Sequence, residues 1–496
     1  MAKSWTAVLA IICVPQYIKL MGMEAYGLVG FFSSAQLFLS LFDLGLGATL
    51  NRELAMASVN DSPTQETRDL SRTLESIYWA VAVVLGVAWI LLAPWLSKHW
   101  INARQLPPAQ VQLAVTLMGL VLIFQWPFSF YLSGLMGLQH QVLANWVAGL
   151  IATLRSFGAL VVLWILSHTV AAFFAWQAAV ALVGTTAMAI FFWNRLPRGS
   201  PPHMTLSTLR RVSAFSLGMT RIALVSLLVM NLDKLLLSRL LTLEAYGYYM
   251  LAMMVGSGLY IFASSFYAAL YPRFSQYFSQ HDQAALLRLY HLACQGLTVT
   301  LAPLGLSLAV FSHDALLFWT GNQATADRSA TLLTIVVVGC MLNCLMYIPY
   351  ALTLSHGWTA FAFKQNLVAV LLQVPLLLIA VRRFTAVGAA AVFLALNVGY
   401  LFIAMPIMHR TLIPRQYWRW LARDLAVPLG AALAPILLIF ALTPRQHSRL
   451  GIAVSLVAAT AIALVTSSLA ATQVRLFLAQ AFGLTTMRRS SCLAPT

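Results

Sequence analysis

Residues 17–27 read YIKLMGMEAYG and residues 237–247 read LSRLLTLEAYG, so Glu-Ala-Tyr-Gly occurs twice, 220 residues apart. Each copy lies between two long apolar runs and carries one cation five residues before its glutamate, Lys19 in the first copy and Arg239 in the second. A repeat this long is much larger than a solenoid unit, so it indicates two related halves of one molecule. Because repeated halves of a membrane chain usually enclose a path, we expect the functional site between them.

The composition is that of a membrane protein. Of the 496 residues, 61% are hydrophobic and only 9% are charged, whereas a soluble domain carries about 25% charged residues. Apolar runs of about 20 residues, long enough to cross about 30 Å of hydrocarbon, recur along almost the whole chain. The sequence therefore predicts an all-α polytopic membrane protein with about 14 transmembrane helices.

The positions of the apolar runs suggest a division of the chain into six segments. They are an N-terminal six-helix bundle (1–194), a Pro- and Arg-rich cytoplasmic linker (195–212), a C-terminal six-helix bundle (213–410), an interfacial basic and aromatic segment (411–424), two additional transmembrane helices (425–470) and a cytoplasmic tail (471–496). Within the first bundle, the second span is expected at residues 25–50. The first span begins so close to Met1 that we expect the natural start to lie upstream.

The distribution of Lys and Arg residues predicts the orientation of the chain in the membrane. With the N-terminus inside, eighteen of the thirty Lys and Arg residues fall in cytoplasmic segments and ten at external ends, as the positive-inside rule favours. Both termini are therefore predicted to be cytoplasmic, and a pseudo-two-fold axis along the membrane normal should relate the two bundles. Arg415, Arg419 and Arg423 form one stripe in the segment 411–424, which fits a helix on anionic headgroups or a basic loop that follows the same rule.

Two arginines lie deep within predicted spans. Arg155 is roughly 20 Å and Arg221 about 12 Å from the start of its span, at about 1.5 Å per residue. Neither can comfortably reach the interface along a lipid-facing surface, so each should face a cavity or a charged partner. The first interpretation makes them substrate-binding residues. The second makes them members of structural ion pairs with Asp43 or Asp233.

Other polar residues in or near the spans are weaker candidates. Arg52 and Lys19, at span ends, join the substrate-binding set, although Lys19 can also simply reach the interface. The candidates for ion coupling or gating are Asp43 and Asp233, with Asn366 and Asn397 as polar groups that could join Asp233. The alternative role of the two aspartates is to hold helix pairs together. No metal site or cofactor is expected, and coupling to Na⁺ or H⁺ is left open.

Motifs for enzyme chemistry are missing from the sequence. It has no Gly-rich phosphate loop with Lys-Ser/Thr, no HExxH, no GxSxG and no CxxC, and its five cysteines lack metal-ligand spacing. The chain also has no soluble domain that could hold a nucleotide. We therefore expect a transporter and not an enzyme.

Several motifs resemble those of one family. VPQYIKLMGMEAYG at 14–27, followed by FDLGLG and NR, is similar to the start of bacterial polysaccharide-unit flippases of the Wzx type. NLDKLLLSRLLTLEAYGYY at 231–249, followed by YPRFSQ, resembles the seventh and eighth helices of that family. The resemblance covers roughly residues 5–410 and marks the polysaccharide-transport branch of the superfamily that also holds multidrug antiporters and the lipid II flippase. In the second repeat FAS at 262–264 replaces FDL, which argues against a symmetric site.

The resemblance implies a V-shaped central cavity and alternating access by rocking of the two bundles. The implied substrate is a polyprenyl-pyrophosphate-linked oligosaccharide that crosses a bacterial inner membrane for lipopolysaccharide O-antigen, capsule or exopolysaccharide assembly. Arginines in excess of aspartates suit a pyrophosphate, which a guanidinium grips with two parallel hydrogen bonds. The implied partners are this lipid, anionic membrane lipids, a polysaccharide polymerase and glycosyltransferases; nucleic acid is not among them.

Two other functions remain open. A cation-coupled multidrug antiporter of the same fold should have an acidic cavity, whereas the buried charges here are not mainly acidic. A membrane-embedded glycosyltransferase or polymerase usually carries a large external loop, and the longest loop here, about residues 98–111, is short.

Overall fold

The computed structural model of the chain is almost entirely helical and describes residues 2–39, 42, 45–57, 64–196, 199–201, 231–443 and 448–481. Asp43 and Arg221 fall outside these ranges, so the expectations for both concern residues that are not described. Within the described ranges, ten helical segments are long and apolar enough to cross a membrane. The predicted all-α polytopic fold is confirmed, and the count of 14 spans stays a prediction.

The chain divides into two compact units, Met1–Met250 and Leu251–Thr496. The helices of the first unit are α1 (Ala2–Met21), α2 (Met23–Leu39), α3 (Leu46–Ala57), α4 (Thr64–Trp95, continued by a π-helical turn at Leu96–Trp100), α5 (Pro108–Gly137), α6 (Gln141–Ile165), α7 (Val170–Arg195), α8 (231–240) and α9 (Leu243–Ser257), which runs past the division.

The described part of the second unit is also helical, and π-helical turns continue two of its helices. The helices are α10 (Leu259–Ser279), α11 (Gln283–Val310), α12 (Ser312–Thr320), α13 (Gln323–Leu345), α14 (Tyr347–Ser355), α15 (Thr359–Gly399, then a π-helical turn at Tyr400–Ala404), α16 (Met405–Leu412), α17 (Tyr417–Arg419, then a π-helical turn at Trp420–Ala426), α18 (Val427–Leu442) and α19 (Arg449–Ala470); a short α20 (Thr472–Ala481) follows.

The two Glu-Ala-Tyr-Gly copies pack against each other within the first unit. A Cβ atom on Gly27 would lie 2.2 Å from the carbonyl oxygen of Leu243, and one on Gly247 would lie 2.7 Å from that of Met23. Farther along, the hydroxyl groups of Ser34 and Tyr246 are 2.8 Å apart. The starts of α2 and α9 therefore cross so closely that only glycine fits at the crossing.

The glutamates of the two copies have different partners. The buried Glu24 carboxylate accepts hydrogen bonds from the backbone N–H groups of Arg104, Gln105 and Leu106, the last two at 2.7 and 2.8 Å. Glu244 is half-buried, and the side chain of Gln105 lies 3.5 Å from its carboxylate. The loop before α5 is thus fixed by the first copy, where a charged acceptor satisfies three N–H groups outside any helix.

A polar cluster holds the segment before α18 against α11 in the second unit. The buried side chains of His291 and Asp424 are hydrogen-bonded to each other, and Gln295 Nε2 donates to the other Asp424 oxygen at 2.8 Å. The side-chain oxygen of Gln295 accepts the backbone N–H of Gln473 at 2.8 Å. Because buried polar groups need partners, these bonds fix three separate segments of the chain to one another.

The structure differs from the expectations at two places and adds local detail at two others. The second span, expected at 25–50, is broken between α2 and α3, where Gly45 takes a left-handed φ of 70° that ends the helical path. Residues 417–442 form one continuous helix, so Arg419 and Arg423 lie in the first turns of the next span. Arg415 precedes this helix with a φ of 65°, so the three arginines do not form the single helical stripe that was expected. The tail expected after 471 begins with α20. The helix α15 is kinked at Thr385, whose φ is 52°.

Candidate functional site

A cavity of about 440 Å³ lies in the first unit between α1, α2, α5, α6 and α7. Arg155 of α6 is the single charged side chain among the described residues that line it. Trp146, Leu150 and Val161 lie on the exposed side of α6, so Arg155 lies on the side that faces the other helices. The cavity therefore carries one positive charge in surroundings that are otherwise neutral.

Glutamines hold the Arg155 side chain. Its Nε–H donates to the side-chain oxygen of Gln177 on α7, and its Nη2 donates to Gln125 Oε1 on α5 at 2.7 Å. A guanidinium has five N–H groups, so three are left without a partner among the described residues. Arg155 and Asp233, which are both described, form no salt bridge. Since neutral amides do not cancel its charge, Arg155 keeps that charge available for a ligand.

The hydrogen bonds also set the orientation of two amide groups. A guanidinium can only donate, so Gln125 must present its oxygen to Arg155. Gln36 on α2 donates from Nε2 to the same Gln125 oxygen at 2.9 Å. Consequently, the side-chain oxygen of Gln36 and the NH₂ group of Gln125 remain unpaired among the described residues, at the wall of the cavity.

A second cavity, of about 540 Å³, adjoins the first between α2, α3, α4 and α5. Ser33, Gln36 and Gln125 line both cavities. Its other polar lining groups come from Tyr78, Ser129 and Ser133, with Trp126 beside them, and its described lining residues carry no charge. The two cavities thus share a wall of neutral hydrogen-bonding groups, with a cation on one side only.

Two of the other predicted binding residues, Lys19 and Arg52, are described, and the structure does not bring them to this cavity. Lys19 is exposed on the last turn of α1 and Arg52 is exposed on α3, and neither lines either cavity. Their assignment as binding residues stays a prediction, as does that of Arg221.

The predicted coupling residues lie in different surroundings. Asp233 on α8 is buried, Tyr249 Oη is 3.5 Å from its Oδ2, and its Oδ1 has no hydrogen-bond partner among the described residues. Asn397 is buried and accepts a hydrogen bond of 2.7 Å from Asn343. Asn366 is partly exposed on α15. Among the described coupling candidates, Asp233 is therefore the one with a buried polar atom that has no hydrogen-bond partner.

Sequence reasoning did not single out the glutamines or a buried glutamate. Gln36, Gln125 and Gln177 are isolated polar residues in apolar spans, and that isolation is the signal that marks them. Glu75 on α4 is 4% exposed and accepts from Tyr131 Oη at 2.5 Å and Trp193 Nε1 at 2.9 Å, while Arg72 donates to its other oxygen. These hydrogen bonds satisfy both Glu75 oxygens and link α4, α5 and α7.

Comparison with known protein families gives one match. A family model described as "Polysaccharide biosynthesis protein" matches residues 1–278. No curated protein matches the chain.

Solved structures share the fold. The chain superposes on the lipid II flippase MurJ, in an inward closed conformation, with a TM-score of 0.70 and 12% identity over 94% of this chain and 97% of that one. For the MATE multidrug transporter DinF-BH, the TM-score is 0.57 and the identity 14%, over 84% and 93%. For an inward-facing multidrug resistance MATE transporter of the MOP superfamily, they are 0.55 and 11%, over 97% and 96%.

Proposed function

The chain belongs to the polysaccharide biosynthesis protein family, and from this premise we propose that it is a flippase for polyprenyl-pyrophosphate-linked oligosaccharide units. It carries them across a bacterial inner membrane by alternating access, for O-antigen, capsule or exopolysaccharide assembly. Both termini are cytoplasmic in this proposal, and a polymerase and glycosyltransferases act on the same lipid. The family match confirms the resemblance found in residues 14–27 and 231–249, and the fold is that of a multi-pass membrane transporter.

One observation carries the proposal: Arg155 is held by neutral amides in a cavity without an acidic lining residue among those described. An arginine anchored by carboxylates would have its charge compensated before any ligand arrived. Here the charge and three N–H groups stay available, which suits the two non-bridging oxygens of a phosphate. Arg221, Arg52 and Lys19 would add to this charge along the path of the head group.

The same observation separates this function from the alternatives. A multidrug antiporter for cations needs negative charge where its substrate binds, and the described lining of this cavity has none. A glycosyltransferase or polymerase needs groups that activate a hydroxyl, and this cavity presents amides, hydroxyls and one arginine. Transport of an anionic head group requires no bond to be broken, so these residues suffice for it.

Coupling to an ion gradient is assigned to Asp233, with Asp43, Asn366 and Asn397 as further candidates. A buried carboxylate with one unpaired oxygen is costly in a bilayer, and binding H⁺ or Na⁺ would reduce that cost. The Asp233→Asn protein should therefore lose the dependence of transport on an imposed H⁺ or Na⁺ gradient. Transport in proteoliposomes that follows the gradient as in the unchanged protein would remove Asp233 from this role.

The proposal is tested by deleting the gene in its host and restoring it with variants. Arg155→Ala should abolish export of surface polysaccharide while the protein stays in the membrane. Arg155→Lys should restore export only partly, because the charge survives and the planar fork does not. Gels of surface polysaccharide measure the export by each variant, and the abundance of the variant in the membrane is measured in parallel.

The matched control is Arg195→Ala, which removes an exposed arginine at the end of α7. It should export normally. Normal export by the Arg155→Ala protein would contradict the proposal. Low abundance of that protein, restored by neutralising an aspartate, would favour the ion-pair interpretation instead.

A further inference from the structure

We propose that the second cavity, beside the Arg155 cavity, is a binding site for the sugar nearest the pyrophosphate. This inference rests on the proposed function, because it assigns a place to one part of the proposed substrate. It concerns the cavity of about 540 Å³ between α2, α3, α4 and α5. The residues that carry it are Gln36 and Gln125, with Trp126 and Ser129 beside them.

The two glutamines present an acceptor and a donor side by side. Arg155 fixes the Gln125 oxygen, and that oxygen fixes the Gln36 NH₂ group. What remains unpaired among the described residues is the Gln36 oxygen and the Gln125 NH₂ group. A sugar hydroxyl both donates and accepts, so a pair of neighbouring hydroxyls can satisfy both groups at once. A phosphate cannot, because it offers no hydrogen to the Gln36 oxygen once ionised.

The rest of the cavity has the same chemical character. Ser33 and Ser129 donate their hydroxyl hydrogens to carbonyl oxygens of their own helices, at 2.9 and 2.8 Å. The Ser129 oxygen also accepts from the Tyr78 hydroxyl at 3.2 Å. Because a hydroxyl oxygen has two lone pairs, Ser129 keeps one of them, and Ser33 keeps its acceptor capacity, for hydroxyl groups of a ligand. Trp126 adds an aromatic face, and sugar rings have apolar C–H faces between their hydroxyl edges. Few fixed polar groups in an otherwise apolar and aromatic cavity are typical of small-molecule sites.

The arrangement follows the order of groups in the substrate. In a lipid-linked sugar the pyrophosphate is bonded directly to the first sugar. In the protein, Gln125 is hydrogen-bonded to Arg155 and also lines the neutral cavity, so one residue links the two sites. The Arg155 guanidinium and the Gln125 amide are one hydrogen bond apart. This short separation suits the pyrophosphate and the first sugar, which are adjacent groups of one ligand. Arg155 binds the anion, and Gln36 and Gln125 read the hydroxyl pattern.

Binding measurements on the purified protein distinguish the pyrophosphate site from the sugar site. The probes are farnesyl pyrophosphate and farnesyl pyrophosphate carrying glucose, galactose, N-acetylglucosamine or N-acetylgalactosamine, and dissociation constants are measured by calorimetry. At least one sugar-bearing probe should bind about tenfold more tightly than farnesyl pyrophosphate, the size expected for one or two hydrogen bonds. Gln36→Leu should remove that gain. Trp126→Leu, which changes a residue that lines the second cavity and not the Arg155 cavity, should also remove it and should leave the affinity for farnesyl pyrophosphate within about twofold.

The controls keep each outcome decisive. Gln112→Leu changes a glutamine of α5 outside both cavities and should keep the sugar-dependent gain. Trp126→Leu, a second variant in the cavity, should lose it, which covers the case of a Gln36→Leu protein that does not fold. Absence of any gain, or a gain that survives both Gln36→Leu and Trp126→Leu, overturns the sugar site. Binding of farnesyl pyrophosphate that Arg155→Ala abolishes would still support the proposed function. If farnesyl pyrophosphate itself does not bind, both proposals fail.

Discussion

The carbonyl oxygen of Leu243 lies 2.2 Å from the position that a Cβ atom would occupy on Gly27. Gly247 is in the reciprocal position, with the carbonyl oxygen of Met23 at 2.7 Å from its own ideal Cβ. Each copy of the repeated tetrapeptide thus supplies the glycine against which the backbone of the other copy packs. Real Cβ atoms do not approach backbone oxygens this closely, so both helices depend on the missing side chain.

Replacing Gly27 by Ala should destabilise this crossing. The added methyl group meets backbone and not a flexible side chain, so α2 and α9 must move apart, at a cost of about 1–3 kcal/mol. Thermal unfolding of the purified protein should shift down by about 2–5 °C. Gly430→Ala in α18 is the control, because nothing lies within 4 Å of its ideal Cβ. An unchanged unfolding temperature for Gly27→Ala would show that α2 and α9 leave room for a Cβ atom at this position.

The two glutamates of the repeat should respond differently to the same change. Glu24→Ala leaves three backbone N–H groups in the loop before α5 without their acceptor, which should cost about 3 kcal/mol or more. Glu244→Ala removes a half-buried carboxylate and should cost about 1 kcal/mol or less. Chemical unfolding of the two proteins gives both values, and equal losses would contradict the difference in their partners.

Labelling tests the predicted orientation of the linker 195–212. A Ser200→Cys protein should react with a membrane-impermeant maleimide only after the cells are opened. Four cysteines of the chain are buried, and Cys492→Ser removes the fifth. The control is Ala109→Cys, at an exposed position of the predicted external loop, which should react in intact cells. Labelling of Ser200→Cys from outside would reverse the topology.

The His291–Asp424 contact should be strongly coupled. Asp424→Leu alone leaves a buried imidazole and the Gln295 amide without their acceptor, and His291→Leu alone leaves a buried carboxylate with less compensation, so each should cost about 3–5 kcal/mol. The double variant His291→Leu with Asp424→Leu should lose much less than the sum, because no buried charge remains. Additive losses in thermal unfolding would mean that the two side chains act independently.

The sequence allowed the fold class and part of the candidate site to be predicted. Apolar runs predicted the membrane helices, and the depth of Arg155 predicted that it faces either a cavity or a charged partner; among the described residues it lines a cavity. Its partners were not predictable, because a single glutamine in an apolar span has no periodic pattern and its partners lie on other helices. The break between α2 and α3 was also missed, since the apolar run continues through it and only the φ of Gly45 reveals it.

Synthesis of the chain runs from the N-terminus, so α11 enters the bilayer long before the residue that completes its polar cluster exists. Asp424 follows His291 by 133 residues, which takes the ribosome about 7–27 s at about 5–20 residues per second. During that interval His291 and Gln295 must be stabilised by water, lipid headgroups or the insertion machinery. Final packing of α11 is therefore a late event in assembly, which awaits the arrival of α18 and of the backbone around Gln473.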